Sequence, residues 1–174
     1  MNKAALRNKH KDLRLNVDPV YLKAASLRLQ EKAWEIIKDV SSVGLYISMD
    51  YEVSTRALIQ RCLENHKIVC VPKIVGSQMS FIQIKDLSEC SKSPYGILEP
   101  SSNEAYKGVI DVQIIPMLAF NQRHFRLGYG KGYYDTYLKN YTGLKCGLCF
   151  SMDEEAELIE SDHDIACDMI LTEI

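Results

Sequence analysis

The sequence predicts an α/β protein with a layered α/β/α fold and a largely parallel central sheet. Short apolar runs rich in β-branched residues alternate along the chain with segments whose apolar residues recur at helical spacing. Strands separated by helices favour parallel pairing. Of the 174 residues, 47% are hydrophobic and 25% are charged, which is typical of a globular protein. The length fits one domain, 1–174, better than two.

The most clearly predicted helix begins at Asp18-Pro19 and runs to about Lys38. Asp18 supplies an N-cap oxygen, and Pro19 occupies the first helical position, where its missing N–H costs nothing. A second helix is predicted after the possible cap at Ser54-Thr55. The apolar residues of the first helix recur at helical spacing: Leu22, Ala25, Leu29, Ala33, Ile36 and Ile37.

The predicted strands are short apolar runs, and the last helix follows a glycine-rich loop. This helix, "YYDTYLKNY", covers 133–141, and the loop before it, 119–135, follows a strand that ends near Leu118. Ligands of parallel sheets gather beyond the carboxyl ends of the strands, so this loop is the expected site. The strands are predicted at 43–48, 67–72, 79–84, 111–118, 144–150 and 169–172.

Charge and polarity exclude several classes of function. The formal charge of −2 and the pI of about 6.1 favour neither nucleic acid nor an anionic membrane as a partner. The first 17 residues are too polar for a signal peptide, and no apolar run reaches the roughly 18 residues that span a bilayer. A cytoplasmic protein without a membrane partner is therefore expected.

The six cysteines lack the spacing of a disulfide framework, so reduced thiols are expected. Cys146 and Cys149 form a lone C-x-x-C, but they lie in a predicted strand, where residues three apart point to opposite faces. No second pair supplies further ligands. We therefore favour a structural role over metal binding.

The stretch "RLGYGKGYYD" at 126–135 is the strongest candidate for a binding site. Gly128, Gly130 and Gly132 lack β-carbons, so their N–H groups can turn inward around phosphate oxygens, and Arg126 and Lys131 supply positive charge. The G-x-G-x-G spacing matches neither the Walker A pattern nor the dinucleotide fingerprint. A glycine-rich turn alone is more often structural, but the two cations favour a functional site.

Several charged residues can be interpreted in two ways from the sequence alone. Asp135 is either a Mg²⁺ ligand or a carboxylate that stabilises a helix dipole. The acidic segment 153–168 is expected to be mostly a solvated face, with one or two carboxylates near Asp135. Lys3 and Arg7 lie four apart on one helical face, for which a solvated basic surface is favoured. Glu52 is undistinguished by its neighbours.

Taken together, these motifs resemble the 5-formyltetrahydrofolate cyclo-ligase family, also called 5,10-methenyltetrahydrofolate synthetase. The resemblance runs from Lys3 to Asp168, and its most specific part is "RLGYGKGYYDTYL" at 126–138. It is supported by "KAALR" at 3–7, "YISMDYEVSTRALI" at 46–59, "MSF" at 79–81, "YGILEP" at 95–100 and "DVQIIP" at 111–116.

The resemblance implies a cytosolic enzyme that uses ATP and Mg²⁺ to convert 5-formyltetrahydrofolate, with or without a polyglutamate tail, into 5,10-methenyltetrahydrofolate. ADP and phosphate are released after the formyl oxygen is phosphorylated and N10 closes the ring. It implies one cyclo-ligase domain over 1–174, present as a monomer or weak dimer.

The resemblance also implies roles for individual residues. Arg126 and Lys131 are the expected catalytic cations, and Asp135 and Asp164 the expected Mg²⁺ ligands. ATP is expected at Lys3, Arg7, Arg126, Leu127, Gly128, Tyr129, Gly130, Lys131, Gly132, Tyr133 and Tyr134. The folate is expected at Ile47, Glu52, Tyr129, Gly130, Lys131, Gly132 and Tyr133.

These roles suit the chemistry. Phosphoryl transfer depends on positioning and charge stabilisation more than on a protein nucleophile. Glu52 can accept two parallel N–H bonds from an aminopyrimidine. Where the family commonly has Gly, Gly and Asp after the central strand, this chain has Met117, Ala119 and Asn121, which leaves the path of the loop open.

Two alternatives remain from sequence alone. A nucleic-acid-binding module would use Arg123, His124, Arg126 and Lys131 on phosphates and nearby tyrosines for stacking. An ATP-binding enzyme of the same fold would act on another small substrate. Glu52 distinguishes the second alternative, because it is expected to be buried near the glycine loop only where a ring with paired donors binds.

Overall fold

The computed structural model describes residues 1–94 and 96–174; Tyr95, the first residue of the motif at 95–100, lies outside the described residues. The α-helices among them are α1 (Lys3–Leu15), α2 (Pro19–Ile37), α3 (Arg56–Glu64) and α4 (Tyr133–Leu138). The strands are β1 (Ser42–Gly44), β2 (Ile68–Val75), β3 (Gln78–Ile84), β4 (Cys90–Lys92), β5 (Leu98–Pro100), β6 (Val112–Pro116), β7 (Ala119–Phe120), β8 (Arg126–Leu127), β9 (Leu144–Leu148) and β10 (Met169–Leu171).

Six strands form the central sheet in the order β10-β9-β6-β1-β2-β3. All neighbouring pairs are parallel except the β2–β3 hairpin, which places an antiparallel strand at one edge. Apolar residues of α2 and α3 pack with the sheet in one core cluster, and residues of α4 pack in two others. The predicted α/β fold with a largely parallel sheet is confirmed.

Individual helices and strands occur near the positions that the sequence predicts, but some begin or end at different residues. Asp18 caps α2 as predicted, its side chain accepting a hydrogen bond from the Val20 amide. The strand predicted at 43–48 is wrong in extent, because after Gly44 the buried chain leaves the ladder. The helix predicted at 133–141 is also shorter, since α4 ends at Leu138.

The strand order creates a crevice at the carboxyl ends of β1 and β6. The chain passes from β1 to β2 on one side and later returns to β6 on the other, so the segments that follow β1 and β6 diverge. The segment after β1 contains Glu52, and the segment after β6 passes through the β7–β8 hairpin into the glycine loop, residues 128–132. Topology therefore brings these two segments to one edge.

Three residues after β6 depart from the pattern that the cyclo-ligase resemblance leads us to expect. Met117, Ala119 and Asn121 are buried, and none has a positive φ. The Met117 side chain fills the space above Gly147, where a β-carbon would lie 2.3 Å from its terminal methyl. Asn121 Oδ1 accepts backbone hydrogen bonds within the turn that leads to β8. The loop thus follows a path that requires no glycine at these positions.

The six cysteines are unpaired, and Cys90 is the one that is not fully buried. Across 1–94 and 96–174, no three His, Cys, Asp or Glu side chains form a group that suits a metal ion. No helix in this part of the chain has the length and apolarity to cross a bilayer.

Candidate active site

Arg126 and Asp135 brace the two ends of the glycine loop. The Arg126 side chain is 3% exposed, and its Nη2 donates to Asp135 Oδ1 at 2.6 Å. Arg126 Nη1 donates to the carbonyl of Ile165, and the Ile165 amide donates to the same Asp135 oxygen at 3.0 Å. Two of the five guanidinium N–H groups are thereby engaged. The loop is held at its base by a partly buried ion pair.

Lys3 reaches the same edge from helix α1. Its ammonium donates to Asp164 Oδ2 and to the hydroxyl of Ser161, whose amide also donates to Asp164. Burial raises the pKa of Asp164, but the Lys3 hydrogen bond and the Ser161 amide outweigh it, so the pKa lies below its ordinary value. Asp164 is therefore a carboxylate at neutral pH.

Arg7 lies against the glycine loop itself. Its Nε donates to the Gly128 carbonyl at 2.8 Å, and a β-carbon on Gly130 would lie 3.1 Å from its Cζ. Gly130 also has a φ of 97°, which disfavours any other residue. The favoured prediction of a solvated basic face for Lys3 and Arg7 is wrong, because Lys3 binds Asp164 and Arg7 binds the loop.

The glycine loop presents unused hydrogen-bond donors. In the part of the chain that the structure describes, no backbone amide from Gly128 to Gly132 donates a hydrogen bond to a protein acceptor. The Lys131 side chain is exposed and forms no ion pair with a described residue. Successive free amides beside an ammonium are a suitable arrangement for phosphate oxygens.

Glu52 joins the two segments that border the crevice. Its side chain is buried, with the residue 7% exposed, and Oε1 accepts the Tyr129 hydroxyl at 2.6 Å while Oε2 accepts the Met49 amide at 2.7 Å. Burial raises the pKa of Glu52, although both hydrogen bonds act in the opposite direction. This carboxylate lies against the glycine loop, the geometry expected where a ring with paired donors binds.

Tyrosines surround this carboxylate. The rings of Tyr51 and Tyr129 meet edge to face at 6.2 Å between centroids. The Tyr134 hydroxyl is buried and has no partner among the described residues, and burial together with the charge of Glu52 raises its pKa. Buried polar atoms without a partner are rare in folded proteins. Within 1–94 and 96–174, the Tyr134 hydroxyl thus lacks the partner that a buried polar atom usually has. Ile47 is buried on the segment that follows β1.

An open groove of about 440 Å³ continues from the glycine loop along α4. Lys131 and Tyr133 line its inner end, and Tyr137 and Tyr141 continue one wall. Residues 77–79 of the β2–β3 hairpin supply the opposite wall. Aromatic rings beside polar side chains suit a flat ligand that carries polar groups.

The chain matches known proteins along nearly its whole length. Residues 1–173 match the model of the 5-formyltetrahydrofolate cyclo-ligase family. The chain belongs to this family. A 5-formyltetrahydrofolate cyclo-ligase of Haemophilus influenzae is 25% identical over 91% of this chain and 90% of its own length. One of Mycoplasma genitalium is 32% identical over 76% and 72%, respectively.

Solved structures of cyclo-ligase relatives have the same fold. The NMR structure of an Aquifex aeolicus 5,10-methenyltetrahydrofolate synthetase superposes with a TM-score of 0.87 at 29% identity, covering 99% of this chain and 90% of the other. A 5,10-methenyltetrahydrofolate synthetase of Mycoplasma pneumoniae gives a TM-score of 0.81 at 22% identity over the full length of both chains. The second likeness concerns the fold alone.

The cyclo-ligase resemblance assigns Asp135 and Asp164 to Mg²⁺, and the fold brings these two residues to the same edge of the sheet. The Ile165 amide bonds Asp135, which brings the adjacent Asp164 to the same edge. Asp135 Oδ2 and Asp164 Oδ1 accept no hydrogen bond from a described residue. Mg²⁺ often takes one or two protein carboxylates and completes its shell with phosphates and water. The two side chains fit a nucleotide-bound ion of that kind.

Sequence reasoning missed four buried charged residues beside this site. His10 and Arg14 of α1 bond Asp153 and Glu155, so these two carboxylates are buried although most of the segment 153–168 was predicted to be a solvated face. A signal was present: Lys3, Arg7, His10 and Arg14 are spaced by four, three and four residues and therefore share one helical face.

Proposed function

We propose that this protein converts 5-formyltetrahydrofolate into 5,10-methenyltetrahydrofolate with consumption of ATP and release of ADP and phosphate. Membership of the cyclo-ligase family supplies the reaction. The observation that supports it in this chain is the Glu52–Tyr129 hydrogen bond, which brings a buried carboxylate for ring recognition against a loop of free amides. Both halves of an ATP-dependent folate site are thereby adjacent.

The nucleotide side is formed by the glycine loop and helix α1. The amides of 128–132 and the Lys131 ammonium bind the terminal phosphates, and Lys3 and Arg7 border them. Leu127, 1% exposed, fixes the start of the loop in a small apolar cluster with Leu6. Each donor aimed at the transferring group lowers the barrier by roughly 3 kcal/mol.

The folate side is formed by the segment after β1 and by the groove along α4. Glu52 retains lone pairs on both oxygens, so it can accept two N–H bonds from the aminopyrimidine while Tyr129 and Met49 hold it in place. Ile47 supplies an apolar wall. Tyr133 stands where the groove begins, and the aminobenzoyl part of the folate extends along it.

The chemistry requires the formyl oxygen to become a leaving group. That oxygen attacks the γ-phosphorus, a P–O bond forms as the bond to ADP breaks, and Lys131 stabilises the charge on the transferring group, while Arg126, buried against Asp135, holds the base of the loop. N10 then bonds to the activated carbon, loses its proton to solvent, and the C–O bond breaks to release phosphate. Asp135 and Asp164 would hold a Mg²⁺ ion, which would supply positive charge to neutralise the phosphates.

Incubating the protein with Mg²⁺-ATP and 5-formyltetrahydrofolate tests this function. We expect the methenyl absorbance to rise in step with ADP, one molecule of each per turnover. Unsubstituted tetrahydrofolate is the matched control, because it lacks the oxygen that receives the phosphoryl group. ADP formation at an equal rate with the control folate, or without any folate, would contradict the proposal.

The nucleic-acid alternative finds little support in the described side chains. Arg123 is paired with Glu160 at 2.6 Å, and Arg126 is buried against Asp135. We therefore propose a small-molecule enzyme without a nucleic-acid or membrane partner. A single domain over 1–174, a cytoplasmic location, a monomeric or weakly dimeric state and the use of polyglutamylated folate stay predictions.

A further inference from the structure

Helix α1 contributes two cations to the nucleotide side. It has 13 residues and begins at Lys3. An isolated helix of this length is marginal in water, so contacts with the rest of the fold must hold it in place. The apolar contribution to its attachment includes Leu6, which packs with Ala119, Leu127 and Leu158. The other buried side chains of α1, His10 and Arg14, make polar contacts with the rest of the fold.

The central polar contact of α1 is His10, which is 1% exposed. Its Nδ1 lies 2.8 Å from Asp153 Oδ1, and its Nε2 lies 3.0 Å from Glu155 Oε2. Ionised carboxylates only accept hydrogen bonds, so both ring nitrogens must carry a proton. His10 is therefore an imidazolium between two carboxylates.

The neighbours of His10 extend this pair into a chain of alternating charge. Arg14 Nε donates to Asp153 Oδ2 at 2.8 Å, and Lys9 Nζ donates to Glu155 Oε2 at 2.5 Å. The charged groups that face His10 are thus Lys9 and Arg14 on its own helix and Asp153 and Glu155 on the segment after β9. We call these five residues the α1 network.

The α1 network is directly connected to the site. Arg7, one turn before His10, bonds the Gly128 carbonyl, and Arg14, one turn after it, donates to the carbonyls of Met117 and Leu118. Helix α1 therefore contacts the segment after β6 on both sides of His10. A shift of the helix at His10 moves Arg7 and Lys3 relative to the loop amides.

We propose that His10, in its protonated form, is a positioning residue for nucleotide binding, because it fixes α1 so that Lys3 and Arg7 border the phosphates. This inference rests on the proposed function of the glycine loop. Loss of the His10 proton leaves one of its two buried carboxylates without a donor from the ring, which loosens the attachment of the helix. Nucleotide affinity then falls without any change in the residues that touch the nucleotide.

The direction of the pH dependence follows from the environment of His10. Burial lowers the pKa of His10, but the hydrogen bonds and charges of Asp153 and Glu155 outweigh it and raise the pKa above the ordinary 6.5. The contribution of His10 is complete below 6.5 and is lost as pH rises through the raised value. Nucleotide binding is therefore expected to weaken on the alkaline side.

The test measures the Kd of Mg²⁺-ADP by calorimetry from about pH 6 to about pH 9 in three proteins. For the wild type we expect Kd to rise about tenfold across this range, the effect of one charge-assisted hydrogen bond. His10→Gln can donate to one carboxylate only and should bind weakly and uniformly. The matched control is His66→Asn, an exposed histidine with a φ of 58°, which asparagine tolerates, and it should behave like the wild type.

Two further measurements separate the possible failures. Hydrogen exchange without nucleotide should show faster exchange of the α1 amides in His10→Gln, and Glu155→Gln should bind like the wild type near pH 6 but lose affinity at a lower pH. Parallel pH profiles for the wild type and His10→Gln overturn the proposal. Absence of ADP binding in the wild type overturns the proposed function instead, while hydrogen exchange still tests the anchoring of α1.

Discussion

Two polar groups lie along the segment that follows β6, and they differ in how their hydrogen bonds are used. In the α1 network each of the five side chains bonds an oppositely charged neighbour, and His10, Arg14 and Asp153 are almost completely buried. In the glycine loop, the amides of 128–132 and the Lys131 ammonium have no protein partner among the described residues. The first group positions backbone and side chains, whereas the second is left free for a ligand.

The sequence alone does not show which of the two groups is paired and which is free. Each lies in a stretch with basic residues close together, Lys9, His10 and Arg14 in the first and Arg126 and Lys131 in the second, and both lie near acidic residues. Burial decides the outcome, because a buried charge is stable only with a partner, whereas an exposed one can stay unpaired until a ligand arrives. Substitutions in the first group should reduce stability, and those in the second should reduce turnover.

Arg14→Met should give the largest effect on stability. It removes the buried partner of Asp153 and the donor to the Met117 and Leu118 carbonyls, which should lower the free energy of unfolding by about 3–5 kcal/mol. Urea unfolding measures this change. The control is Arg123→Met, which breaks the exposed pair with Glu160 and should cost under about 1 kcal/mol. Equal losses in the two variants would refute the distinction between the groups.

Lys131→Ala should reduce kcat/KM about a hundredfold, since it removes a cation aimed at the transferring phosphoryl group, while unfolding should change by less than about 0.5 kcal/mol. Steady-state kinetics and urea unfolding measure the two quantities. Lys139→Ala, at an exposed lysine just after α4, is the matched control and should retain activity. Wild-type kinetics in Lys131→Ala would remove this residue from the mechanism.

Tyr129→Phe should raise the KM for the folate about tenfold, because Glu52 loses a hydrogen bond that holds it at the crevice. The same loss should raise the pKa of Glu52 further, so folate binding should fail at a higher pH on the acid side than in the wild type. Tyr21→Phe breaks a similar bond to Glu173 away from the site and serves as the control. An unchanged acid limb in Tyr129→Phe would contradict this role of Glu52.

Glu155→Gln should have the smallest effect, and this effect should disappear in acid. The Lys9 hydrogen bond, opposed by burial and assisted by the Glu157 amide and His10, lowers the pKa of Glu155 from 4.5 to about 2. Its contribution is therefore present above pH 4.5 and is lost as pH falls toward 2. Because the Lys9 ammonium is exposed, we expect the variant to lose under about 1 kcal/mol of unfolding free energy above pH 4.5 and to match the wild type as pH approaches 2. Glu157→Gln, at an exposed pair, should leave the acid profile unchanged.

The sequence predicted the elements whose signals are local. The cap at Asp18, strand β3 and the glycine loop are predicted from neighbouring residues, and the structure contains each of them. The contact between Glu52 and the loop was expected only from the family resemblance, because Glu52 and Tyr129 are 77 positions apart along the chain. Local pattern alone left Glu52 undistinguished.

The α1 network lay beyond sequence reasoning for a physical reason. His10 and Asp153 are 143 positions apart. The residues next to either one in the sequence therefore do not show that the two side chains will be buried against each other. The helical face of α1 was visible, but exposure depends on what packs against that face. Met117 shows the same limit, because its compatibility with the loop depends on the missing β-carbon of Gly147 across the β6–β9 pair.

Nuclear magnetic resonance of the backbone amides tests the free glycine loop most directly. On titration with Mg²⁺-ADP, the amide protons of Gly128, Gly130 and Gly132 should move downfield as they donate to phosphate oxygens. Gly96, a turn glycine with a comparable φ of 76°, should stay in place. Saturable ADP binding that leaves the three loop glycines unshifted would contradict the assignment of this loop to the nucleotide.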